Sequence, residues 1–144
     1  LLLAASRFEH CKNFIMPLLK RNKIVIADRF HDSTFAYQCE NNKNLFMLLK
    51  SLNKMLLKDF EPDLTILLDL DPKEAIGRIK NRKSNNSFDN KKLVFYKNAR
   101  NNYLKLAKKN RRIRVFDGLI DKKVLHNDIQ KLIFNELKKN GFNL

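Results

Sequence analysis

Apolar residues fall on a helical period from the first position: Leu1, Ala4, Ala5, Phe8, Cys11, Ile15 and Leu18 are spaced three or four apart, with one exception of a single step. This predicts a helix with one face in a core. Pro17, near its end, is expected to kink it. Lys20, Arg21, Asn22 and Lys23 then make a polar turn into Ile24, Val25, Ile26 and Ala27, a continuous apolar run that reads as a short buried strand. Asp28 and Arg29 stand at the carboxyl end of that strand. Asp32 or Ser33 is placed to cap a short helix reaching Gln38.

The next helix bears Leu45, Leu48, Leu49, Leu52 and Leu56. Glu61, Pro62 and Asp63 break the chain before a second apolar run at 64–68, which ends in Asp69, Leu70, Asp71 and Pro72. A cap at Asp71 and a proline at the first helical position predict a helix to about Arg82. After a polar, basic loop at 83–90 comes a helix with Leu93, Tyr96, Arg100, Tyr103, Leu104 and Ala107. Ile113, Arg114, Val115 and Phe116 form a third strand ending at Asp117 and Gly118, and a last helix runs from about Lys122 to Lys138. Short apolar strands alternating with helices predict an α/β fold, with a parallel sheet and helices on both faces. Such sheets bind ligands beyond the carboxyl ends of their strands, where Asp28, Arg29, Asp69, Asp71, Asp117 and Gly118 fall. No repeat or linker interrupts the pattern, so residues 1–144 are expected to form a single domain.

Composition refines this picture. With 44% hydrophobic residues the chain can build a core, and its net charge is +15. Most of the excess is local: residues 73–114 hold fifteen Lys/Arg and two Asp/Glu. Such a block attracts phosphates, on a nucleotide or along a nucleic acid backbone. Lys and Asn are abundant throughout, however, and many of these lysines serve equally well as solvated helix faces. Cys11 and Cys39 form no C-x-x-C and sit in no paired His spacing, which argues against a disulfide framework or zinc site. A reducing, cytoplasmic setting is the default expectation. No apolar run approaches the ~20 residues that span a bilayer. The sequence opens inside a helix, without Met or cap, so the expectation is an N-terminally incomplete domain.

Three segments carry a resemblance. LLLAASR at 1–7, DRFHDSTFAYQ at 28–38 and PDLTILLDL at 62–70 are similar, in order and spacing, to the segments that follow the phosphate loop of thymidylate kinases. Tyr103, Leu104 and Asp117 extend the match over nearly the whole chain. A lone Asp-Arg-Phe would be weak, whereas the eleven residues of 28–38 with the other segments at the right distances are specific. The resemblance implies a P-loop kinase-like fold whose central first strand and phosphate loop, G-x-x-x-x-G-K-[ST], lie upstream of residue 1. It implies transfer of the terminal phosphoryl group of ATP to thymidine monophosphate, giving the diphosphate for dTTP synthesis, with Mg2+. It also implies a homodimer.

Residue by residue, the resemblance makes Arg29 the arginine that bridges the acceptor phosphate and the transferred group, and puts Asp28 near magnesium and the reacting phosphates. Arg82 falls in a lid segment, about 78–92, that closes over the phosphates. Leu3 stands where the family has Phe against the base, Arg7 reaches the thymine carbonyl, and Ser33 and Thr34 meet the base. Tyr37 crowds the 2′ position of the sugar, with Gln38 beside it. Arg78 stacks on adenine, and Asp117 and Gly118 meet the adenine edge. Arginine suits a phosphate clamp because its planar fork spans two oxygens. The chain departs from the family at Cys39, where Gly is usual, at Ser87, where a second lid arginine is expected, and at Asp89, in place of Glu. Two other readings stay open. One is a kinase of the same scaffold acting on another nucleoside or nucleotide. The other is a basic nucleic-acid-binding module, which explains 73–114 but not 28–38 and lacks the interleaved aromatics of a base-stacking surface.

Overall fold

A computed structural model of the chain describes residues 2–39, 42–58, 60–80 and 90–142. Its contacts separate into two compact units, Leu1–Glu61 and Pro62–Leu144.

In the first unit, helix α1 (Leu2–His10) continues through a π-helical turn, Cys11–Ile15, into α2 (Met16–Lys20). The N–H of Met16 donates to the carbonyl of Cys11, five residues back. Pro17 has no N–H for the carbonyl four residues before it, and the widened turn directly precedes it. Asn22, at φ 55°, turns the chain out of α2. The strand expected at residues 24–27 does not form: strands are defined by a hydrogen-bonded neighbour, and this segment has none among the described residues. It keeps the alternation of an extended chain, because Val25 packs on the core while Ile24 and Ile26 are 50% and 91% exposed.

Helix α3 (His31–Gln38) starts two residues earlier than a cap at Asp32 requires and three earlier than a cap at Ser33 requires. Its N-cap is Phe30, in extended conformation and without a side-chain cap, while Asp32 falls in the first helical turn, where its negative charge suits the helix dipole. Helix α4 (Lys43–Leu57) is capped by Asn42, whose Oδ1 accepts the Leu45 N–H at 3.0 Å, and ends at left-handed Lys58. Cys11, Ile15 and Leu57 form the core of this unit, with Phe8, Val25, Phe30, Leu56 and Phe60 packed against it.

The second unit is built on two parallel strands, β1 (Thr65–Asp69) and β2 (Ile113–Asp117), in register from Thr65 with Ile113 to Asp69 with Asp117. Parallel strands need a long crossover, and here α5 (Pro72–Lys80) and α6 (Asn90–Lys109) provide it. Helix α5 begins at Pro72 as predicted, with Asp71 Oδ1 accepting the Lys73 N–H at 2.8 Å. Arg112 fastens the strand starts: its carbonyl accepts the Thr65 N–H at 2.9 Å, and its Nη1 donates to Thr65 Oγ1 at 2.7 Å. Helix α7 (Lys122–Lys139) is capped by Asp121, which accepts from the Lys123 and Val124 amides. The α/β class with a parallel sheet is therefore as the sequence predicts. Among the described residues no helix is long and apolar enough to cross a membrane.

Candidate active site

The residues expected at the acceptor nucleotide all lie within 1–61. Arg7 projects from α1 and is half-buried, its guanidinium carbon 5.7 Å from the centre of the Phe30 ring. Burial draws its pKa below the ordinary guanidinium value, while Cys11 and the carboxylate of Asp32 pull the other way. Arg7, Thr34 and His31 help line a cavity of about 20 Å³ together with Ala4, Leu49 and Asn53. Thr34 is buried on this wall, and Ser33 is half-buried beside it with its N–H on the Phe30 carbonyl at 3.1 Å. Leu3, one helical turn before Arg7, is 57% exposed.

Arg29 has φ +66°, the left-handed region that a non-glycine residue enters at a cost. From that position its guanidinium carbon lies 5.3 Å from the centre of the Tyr37 ring, a cation–π contact. Asp28 and Gln38 are exposed at either end of the same segment. His31 was not singled out by its sequence, yet it is buried between the Phe30 and Phe35 rings. Its Nε2 is 3.5 Å from Asp32 Oδ1 and 3.8 Å from Glu61 Oε1.

The residues expected at ATP lie within 62–144, and two of them meet: Arg78 Nη2 donates to the Gly118 carbonyl at 3.3 Å. Asp117 folds its side chain into the same turn, Oδ1 accepting the Leu119 N–H at 2.8 Å. Arg82, and the lid residues 81–89 with Ser87 and Asp89, lie outside the described residues.

The family model "Thymidylate kinase" matches residues 1–129. The chain belongs to the thymidylate kinase family. It is 42% identical over 139 residues to the probable thymidylate kinase of Thermococcus onnurineus (strain NA1), covering 96% of this chain and 65% of that protein. It is 42% identical over 141 residues to the thymidylate kinase of Aster yellows witches'-broom phytoplasma (strain AYWB), covering 96% and 67%. With the thymidylate kinase of Kosmotoga olearia it shares 34% identity over 145 residues, 100% of this chain and 70% of that protein. The chain thus spans about two thirds of the length of these thymidylate kinases.

Beyond the residues that thymidylate kinase resemblance selects, the second unit holds an ion pair that sequence reasoning passed over. Arg100 on α6 donates Nε to Asp69 Oδ1 at 2.6 Å and Nη2 to Asp69 Oδ2 at 2.8 Å. Hydrogen bonding from Arg100 holds the Asp69 carboxyl below its ordinary value, against the opposing effect of burial. The available signal was an aspartate at a strand's carboxyl end, with no hint that its partner stood 31 residues on.

Proposed function

We propose that the whole protein transfers the terminal phosphoryl group of ATP to thymidine monophosphate, giving thymidine diphosphate for dTTP synthesis. The observation that carries this reading is the folding of residues 28–38. Arg29 lies over Tyr37 at the head of α3, while Thr34 of the same helix shares a cavity wall with Arg7.

The chemistry needs positioning and charge neutralisation, because negative charge spreads over the transferred group as it passes between two oxygens. Arg29 supplies a planar fork for the acceptor phosphate and the transferred group, steadied by the Tyr37 ring. Arg7, already partly desolvated, donates to the base carbonyl, where a hydrogen bond is stronger than in water. Ser33 and Thr34 offer hydroxyls to the base, and Leu3 an apolar platform for it. Tyr37, with Gln38 beside it, occupies the space a 2′-hydroxyl would need. Arg78, Asp117 and Gly118 form the adenine side, and Arg82 closes over the phosphates from the lid.

Asp28 is a single exposed carboxylate. Among the described residues no group of three or more His, Cys, Asp or Glu is arranged to hold a metal ion. This donor set fits a magnesium ion that arrives with ATP, since Mg2+ usually binds through one or two carboxylates, substrate phosphates and water. Bound there, the ion neutralises phosphate charge. The assembly that goes with this reading is a cytoplasmic homodimer.

The test is a phosphoryl-transfer assay on the whole protein with ATP and either thymidine or uridine monophosphate. A preference for the thymidine nucleotide of about a hundredfold or more in kcat/KM is expected, because the uridine nucleotide both carries a 2′-hydroxyl where Tyr37 crowds the sugar and lacks the 5-methyl group of the base. Comparable activity on both would favour the reading as a kinase for another nucleotide.

A further inference from the structure

The pair between Asp69 and Arg100 is fastened to two residues of the proposed adenine side. Asp69 is the last residue of β1, and its backbone carbonyl accepts the Gly118 N–H at 2.7 Å. The approach is close: a Cβ on Gly118 would stand 3.0 Å from that same oxygen. The Gly118 carbonyl in turn accepts Arg78 Nη2 at 3.3 Å. A continuous chain of polar contacts therefore runs from α6 through the end of β1 and the turn after β2 to α5.

We infer that Arg100 is a positioning residue for nucleotide binding. By clamping Asp69 it fixes the carbonyl that holds Gly118, and through Gly118 it sets the orientation of Arg78. This rests on the reading of Arg78 and Gly118 as contacts of the ATP adenine. The fork gripping both carboxylate oxygens removes the torsional freedom that a single bond would leave. Gly118 needs such restraint, since glycine has the widest backbone freedom of any residue. Arg78 is exposed and reaches the turn through a long hydrogen bond, so its pose follows the Gly118 carbonyl. Nη1 of Arg100 stands 3.9 Å from Asp71 Oδ2, which places a second carboxylate near the clamp at the start of α5.

The test compares Arg100→Ala, Arg100→Lys and Arg78→Ala in the whole protein, varying ATP and thymidine monophosphate separately. Arg100→Ala should raise KM for ATP about tenfold, as expected of a misplaced contact, with KM for thymidine monophosphate and kcat within about twofold. Arg100→Lys should fall between, at about threefold, because an ammonium keeps the charge and loses the fork. In Arg100→Ala the Gly118 amide should also lose protection from hydrogen exchange. If Arg78→Ala raises KM for ATP while Arg100→Ala changes neither KM nor Gly118 protection, the inference is overturned and the adenine assignment stands. An equal rise in both KM values accompanied by a lower Tm also overturns it, since that pattern belongs to a structural role. An unchanged KM for ATP in Arg78→Ala overturns the adenine assignment and the inference with it.

Discussion

Arg29 holds its guanidinium over the Tyr37 ring, 5.3 Å from the centre, from a backbone in the left-handed region. Left-handed backbone costs an ordinary L-residue roughly 1–2 kcal/mol, and glycine escapes that penalty. Arg29→Gly should therefore be more stable than Arg29→Ala by about 1 kcal/mol, the reverse of the usual order. Urea denaturation of the two variants measures the difference, and an alanine variant at least as stable would count against strain at this position.

The same arginine should be sensitive to chemistry as well as to charge. Arg29→Lys keeps a cation but loses the fork, so turnover is expected to fall by about a hundredfold or more while the protein stays folded. Near-normal turnover in a folded Lys variant would reduce Arg29 to a structural residue.

Asp69 provides a pH handle in the second unit. Its carboxyl is held below the ordinary value by the Arg100 hydrogen bond, so the pair stabilises the fold at neutral pH. That contribution is lost as pH falls below about 4 and through the depressed folded pKa. Asp69→Asn should cost about 1 kcal/mol at pH 7, a modest figure because Arg100 is partly open to solvent. The gap between variant and parent should narrow progressively as pH falls below about 4 in urea titrations; a gap that stays constant would contradict the pair's role.

Cys11 and Cys39 are free and buried, and burial pushes both thiols up. A thiol needs its thiolate to react. Iodoacetamide at pH 7.5 should leave both unmodified in the folded protein and label both promptly in denaturant, as read by mass spectrometry. Fast labelling of either in the native protein would show that its surroundings open readily.

What could be read from the sequence divides along physical lines. Helices with strong periodicity, such as the one bearing Leu49 and Leu56, and the apolar runs that became β1 and β2 were legible because local pattern decides them. Residues 24–27 carry as strong an apolar run, but a strand exists only with a neighbour, and pattern alone does not supply one. The start of α3 was misplaced because Phe30, which has no capping oxygen, occupies the N-cap. Arg7 and Thr34 line one cavity, and Arg78 meets the Gly118 carbonyl, contacts between residues distant in the chain that spacing alone does not give. The Asp69–Arg100 clamp joins residues far apart in the chain, and the backbone angle of Arg29 leaves no trace in residue type, so neither could be read beforehand.

The π-helical turn at Cys11–Ile15 works as a skipped thread on a screw. A π turn houses one residue more than the α turn it replaces, and each α-helical residue advances the direction of its side chain by about 100°. Shortening the chain by one residue at this turn would let a plain α-helix run on from α1 to α2. Because the i to i+5 bond closes the ring that an i to i+4 bond closes in an α turn, that deletion would leave Arg7 and Leu3 facing as they do relative to Leu18. Straightening the turn with every residue kept would instead swing them by about that angle. The π turn thus absorbs a surplus residue without turning Arg7 away, and an alignment that places a one-residue gap here marks a change of length rather than a change of aim.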